Sequence, residues 1–170
     1  MPYATHLDLA ESPGARELAE IASPEHAPMV AYELMDAALR GADLSGWQAD
    51  EVALAHQALA RIDDAVRDAA ALIDGYLAKR GYALPLDPVP GLVTAWARAL
   101  VRYMLHKDRR SLEDNDPIVR NWRDAVRLLQ QTADGKFGLH AADAVAVNKL
   151  DARLCGAPNV FGRDELRAFR

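Results

Sequence analysis

The feature that most constrains this chain is a long apolar stripe at helical spacing that stops at a glycine and then meets three prolines. Val52, Ala55, Leu59, Ile62, Val66, Ala69, Ile73 and Tyr76 recur in steps of three and four residues, which places them along one side of a helix from Ala49 to about Lys79. Arg61, Asp64, Arg67 and Asp68 fall on its other faces. Gly75 is a weak point within this helix, costing about 1 kcal/mol relative to alanine, and it leaves room for close packing against a neighbour. Gly81 suits a left-handed C-terminal cap. Pro85, Pro88 and Pro90 then forbid further helix, because proline has no amide hydrogen and fixes φ. Tyr76, Tyr82, Leu84, Pro85, Pro88 and Pro90 are the residues expected to fix the corner that results.

The flanking segments also read as helical. Leu92 to about Lys107 is apolar nearly all round, with only Thr94, Arg98, Arg102 and His106 as a polar stripe, so it is expected to be the central buried helix with one wet or paired edge. Asp116 and Pro117 form a cap and first-turn pair for a helix to about Thr132. Its residues Ile118, Trp122, Ala125, Val126 and Leu129 face inward, and Arg120, Arg123 and Arg127 share the opposite side. Towards the N-terminus, Thr5 caps a short helix to about Ala10, and a second helix restarts after Ser12, Pro13 and Gly14. Ser23 and Pro24 are expected to cap and open a third helix reaching Arg40, stopped by Gly41, with 41–47 as a loop.

Ala and Leu dominate while β-branched runs are scarce, so the fold class is all-α, a helical bundle. At 170 residues the chain is long enough to bury a core in one domain, here 1–135. After Gly135 the periodicity fades, and residues 136–170 read as an extended C-terminal arm expected to order on a partner.

The formal charge of −5 argues against nonspecific nucleic-acid binding. It hides an asymmetry: through residue 78 there are 14 acids against 4 bases, and from Lys79 onward 11 acids against 16 bases. Such halves attract one another between copies or partners, or form two solvated helix faces. The single cysteine, Cys155, excludes an intrachain disulfide and suits a reducing compartment. No secretory signal is evident at the N-terminus, and no apolar stretch approaches the roughly 20 residues of a membrane span. A soluble cytoplasmic protein is expected.

Two chemical readings deserve weighing. Glu17 and Glu20, with Glu33 and Asp36, are acid pairs three residues apart; two helices carrying them would offer four carboxylates to Mg²⁺. This resembles the metal motif of all-helical nucleoside triphosphate pyrophosphohydrolases, although acids at that spacing are ordinary on solvated helices. Arg120, Arg123 and Arg127, with Arg98, Arg102, Arg109 and Arg110 nearby, offer a DNA-facing surface, but the proline corner and the apolar helix do not fit a helix-turn-helix. His6, His26, His56, His106 and His140 are scattered without ligand spacing. Neither a nucleophile elbow nor a phosphate loop is present. No catalytic residue, metal or cofactor is expected.

The corner carries a more specific signal. "IDGYLAKRGYALPLDPVPGLV", then "ARALVRYMLHKDR", then "DPIVRNWRDAVRLLQQTADGKFGL" resembles the Mu-like prophage family of small neck proteins, the head-to-tail connector or head-completion proteins. The likeness spans about residues 58 to 139, and "VFGRDELRAF" is similar to the family's C-terminal tail. The family usually places Arg directly before Tyr, whereas Gly81 stands here between Arg80 and Tyr82. Residues 24–50 look longer than usual, an insertion atypical of the family. The resemblance implies a helical connector domain and a non-enzymatic virion assembly role: a homo-oligomeric ring of about twelve copies between the portal protein and the tail. It implies portal and downstream neck or tail proteins as partners, a genome passing through the ring without sequence-specific contact, and a location in the host bacterial cytoplasm and then the virion neck. Phe161, Leu166 and Phe169 are the expected arm contacts.

Overall fold

In the computed structural model, residues 2–107 and 115–139 are described, and every regular element among them is helical. Six α-helices follow one another: α1 (His6–Leu9), α2 (Ala15–Ala22), α3 (Tyr32–Leu39), α4 (Ala49–Arg80), α5 (Gly91–Lys107) and α6 (Pro117–Ala133). Helices α4, α5 and α6 pack against one another in all three pairings, while α2 and α3 form a second pair laid on α4. The all-α bundle expected from composition and periodicity is therefore the fold.

The long stripe does what its spacing requires. Ala55, Ile62, Val66, Ala69 and Ile73 are buried, joined by Ala58, Ala65 and Leu77, while Val52, Leu59 and Tyr76 sit at the margins. The small residues on this side let neighbouring helices approach closely. Helix α5 contributes Val93, Trp96, Ala97, Leu100 and Val101 to the same core, and α6 contributes Ala125 and Leu129. No helix among the described residues is long and apolar enough to cross a membrane.

The helix ends follow local chemistry. Thr5 and Asp8 form a reciprocal capping box on α1, and Gln48 and Glu51 do the same on α4, each satisfying amides that the helix leaves open. Asp116 accepts from the Ile118 amide at 2.8 Å with Pro117 in the first turn of α6. At the other end of α4, Gly81 takes φ +90°. Its amide and that of Tyr82 both reach back to Leu77 O, closing the helix with a left-handed turn.

Two expectations change. The third helix does not run from Ser23: it begins at Tyr32. Pro28 has no amide to give and pushes Ala27 away from helical backbone. Ser23 instead closes a loop, its hydroxyl donating to Ala19 O at 2.5 Å and accepting from the Val30 amide at 2.9 Å. Gly75 does not admit a neighbour within the chain either, since a β-carbon there would meet nothing within 4 Å.

These two glycines give opposite expectations for one substitution. Gly75→Ala removes a helix-interior glycine facing open space and should stabilise the fold by about 1 kcal/mol. Gly81→Ala forces a side chain into left-handed backbone and should destabilise it by about 1 kcal/mol. Urea unfolding of the two variants, with unchanged m-values, checks the pair.

Candidate functional site

The corner between α4 and α5 is held from three directions. Leu86 is buried, Tyr82, Leu84 and Val89 are half-buried against the core, and Pro85 and Pro88 face solvent. The Leu84–Pro85 and Asp87–Pro88 peptide bonds are cis. Pro90 O accepts from the Val93 amide at 2.9 Å and so starts α5 directly from the corner. Tyr76 lies one turn before the end of α4, half-buried on the core side.

The N-terminus forms the second support. Tyr3 is buried, its hydroxyl donates to the Asp74 carboxylate on α4, and it also interacts with the backbone of Leu86. Burial, reinforced by the Asp74 carboxylate, pushes the Tyr3 hydroxyl up to about 12, so it stays a neutral donor throughout the physiological range. The segment after α6 forms the third. Leu139 N donates to the Tyr82 hydroxyl at 3.4 Å, and Phe137 tilts against Trp96 with ring centroids 6.2 Å apart. Lys79 reaches Asp134 at 3.1 Å, and Gly135 lies so close to Arg80 that a β-carbon would stand 2.8 Å from its guanidinium. Tyr3 and Leu86 escape a reading of sequence because their contacts span some 70 residues and carry no local period.

The four carboxylates proposed for Mg²⁺ are not brought together. Glu17 on α2 is bound by Arg102 of α5 through two bonds, Nε to Oε1 at 2.5 Å and Nη2 to Oε2 at 2.8 Å, and by His106 Nε2 at 2.7 Å. Asp36 is held by Arg40 at 3.0 Å, Glu33 accepts from Tyr32, and Glu20 points to solvent. Among the described residues no group of three or more His, Cys, Asp or Glu is placed to hold a metal ion. The physical reason is that a carboxylate beside a guanidinium and an imidazole already has its charge matched.

This cluster also settles the polar stripe of α5. Arg102 is paired rather than wet, and His106 is buried with 4% of its side chain exposed. Burial alone would raise the Glu17 carboxyl, but the bonds from Arg102 and His106 and their charges outweigh it and hold the group below its ordinary 4.5. With Glu17 ionised, His106 donates through Nε2, which leaves Nδ1 buried without a partner.

The α6 arginines Arg120, Arg123 and Arg127 do share one exposed face, with Asp124 beside Arg127 at 3.1 Å. His26 and His56 are exposed and His6 meets Asp63 at 2.7 Å. The expected arm contacts Phe161, Leu166 and Phe169 lie outside the described residues, as do Arg109, Arg110, His140 and Cys155.

A carboxylate whose folded value is depressed stabilises the fold above its unfolded value, and that contribution is lost as pH falls through the folded value. Glu17→Gln should therefore cost roughly 1–3 kcal/mol near neutral pH, because it strands Arg102 and His106. The gap from wild type should close as pH drops below the ordinary carboxylate value of 4.5. Urea titrations of both proteins at neutral and acid pH measure it.

Comparison with known proteins agrees with the sequence of the corner and extends beyond it. The family described as Bacteriophage Mu, Gp36 matches residues 3–153. The chain is 31% identical over 112 residues to the Mu-like prophage FluMu protein gp36 of Haemophilus influenzae, covering 65% of this chain and 76% of that protein. It is also 34% identical over 106 residues to gene product J of Escherichia phage Mu, covering 61% of this chain and 72% of that protein. With the match running from the buried Tyr3 through α1 to α6 and past the corner, the chain belongs to the bacteriophage Mu Gp36 family.

Proposed function

We propose that this protein is a non-enzymatic assembly subunit of a Mu-like phage particle, a head-to-tail connector or head-completion protein. About twelve copies form a ring between the portal protein and the tail, and the genome passes through it without sequence-specific contact. Assembly takes place in the host bacterial cytoplasm, and the finished protein occupies the virion neck. Family membership over residues 3–153 carries this reading.

The architecture supports it. A ring subunit must present the same angle between its helices in every copy, since a small error repeated around the ring prevents closure. Here the angle between α4 and α5 is set by a corner in which Tyr76, Tyr82, Leu84, Pro85, Pro88 and Pro90 leave the backbone little freedom. The C-terminal arm, with Phe161, Leu166 and Phe169, reaches a neighbouring subunit or the portal, and residues 24–50 add surface particular to this chain. The hydrolase reading loses its footing because Glu17 is engaged by Arg102 and His106.

Inducing the parent prophage with the gene deleted should yield heads and tails that remain separate in electron micrographs, and supplying the wild-type protein should restore joined particles. Protein lacking residues 156–170 should fail to restore them. Joined, infectious particles from the deletion strain would refute the proposal.

A further inference from the structure

The polar stripe of α5 extends beyond the Glu17 brace. Arg98 lies one turn before Arg102, about 6 Å away along the same face, and both border a recess of about 150 Å³. Its other walls come from Ser12 and Pro13 in the turn between α1 and α2, and from Asn121 on α6. Ala95 and Ala99 complete the lining with side chains too short to fill it.

Unused donor capacity distinguishes this recess. Among the described residues, no hydrogen bond or ion pair engages the Ser12 hydroxyl, the Arg98 guanidinium or the Asn121 carboxamide. Arg102 gives Nε and Nη2 to Glu17 but keeps the hydrogens of Nη1. Asp8 attracts Arg98 from α1, yet that carboxylate is already bonded to the Thr5 hydroxyl and amide. No acidic residue lines the recess. On the other side of Pro13 and Arg102 the pattern reverses, for Glu17 and Glu20 border the neighbouring cleft beside Arg16. The turn at Pro13 thus divides the polar edge of α5 into an acid-lined cleft and an acid-free recess.

We propose that the recess binds a single phosphate group, held by Arg98 together with Ser12, Asn121 and Nη1 of Arg102. Charge selects an anion, since a guanidinium without a carboxylate partner is an oxyanion site by its own geometry. Size selects a small one. Ordinary ligand pockets run to roughly 300–1,000 Å³, so a recess of about 150 Å³ takes a phosphate but not a whole nucleotide. Shape selects a tetrahedral one. The donors come from the turn, from α5 and from α6, and a phosphate offers oxygens towards all three, whereas a carboxylate offers two in one plane. The site does not depend on the ring reading. A bound phosphate ties the turn between α1 and α2 to α5 and α6.

Titration with inorganic phosphate, replacing chloride at constant ionic strength and followed by NMR, tests this directly. Wild-type protein should show saturable shifts in the millimolar range at the Arg98 Nε–H, the Asn121 side-chain amide and the Ser12 backbone amide. Arg98→Gln should weaken binding by about tenfold, the loss of one charge-assisted hydrogen bond, and Asn121→Ala should weaken it less. Arg16→Gln, in the neighbouring cleft, should leave it unchanged. Arg98 makes no bond within the fold, so its variant should stay folded, which circular dichroism checks.

A second titration with a short DNA duplex separates the sources of phosphate. If the duplex moves the same signals in an Arg98-dependent way, the site takes a phosphodiester of the nucleic-acid backbone; if only inorganic phosphate does, it takes the free ion, and both results support the site. Absence of saturable shifts across the millimolar range overturns the proposal. Equal weakening by Arg16→Gln and Arg98→Gln overturns it too, since that marks a diffuse field rather than a site. Acetate binding as tightly as phosphate would assign the recess to carboxylates and likewise refute it.

Discussion

The structure depends on one constraint, the corner that turns the chain from α4 into α5. A 32-residue helix is a long lever, and a free hinge at its end would let the core slip. Proline at three positions limits the backbone of the linker, but limited backbone alone does not hold a helix in place. The corner is seated because Leu86 is buried, Tyr3 reaches both Asp74 and Leu86, and Tyr82 receives the Leu139 amide. Chain beginning, chain middle and the start of the C-terminal segment converge on it.

Local chemistry made much of this legible in the sequence. Helices α4, α5 and α6 follow from apolar periodicity, and their ends from Gly81, Pro90 and the Asp116–Pro117 pair, because caps and prolines act within a few residues. The segment after Ser23 misled for a related reason. A serine followed by proline reads as a helix start, yet Pro28, four residues beyond Pro24, vetoes the continuation and the serine hydroxyl turns to the Val30 amide instead. Contacts between distant parts of the chain were beyond reach. Nothing near Glu17 announces that its partners stand 85 and 89 residues away, and nothing near Tyr3 announces Asp74.

The same distinction explains why the acid pairs suggested metal chemistry. Spacing within one helix fixes which side chains share a face, not what that face meets. Glu17 meets α5, where Arg102 and His106 replace the hydration it loses on burial. A carboxylate so engaged welds the N-terminal helix pair to the central helix. The glutamate that formed part of a metal motif in sequence is thus a brace, and Arg102 and His106 of the α5 polar stripe receive it.

Once the core has claimed the inner faces, the outer ones carry the remaining information. Gly75 makes the point. Alanine would serve the helix better there by about 1 kcal/mol, and within the chain nothing approaches closely enough to need the missing side chain. Its cost to the helix is offset by no contact within the described residues. The glycine lies in line with Asp64, Asp68 and Ala71 on the exposed side of α4. The sequence asymmetry between an acidic front and a basic rear then acquires a geometry. Part of it lies on the outward sides of two helices that share a core, with Asp63, Asp64 and Asp68 exposed on α4 and Arg120, Arg123 and Arg127 exposed on α6.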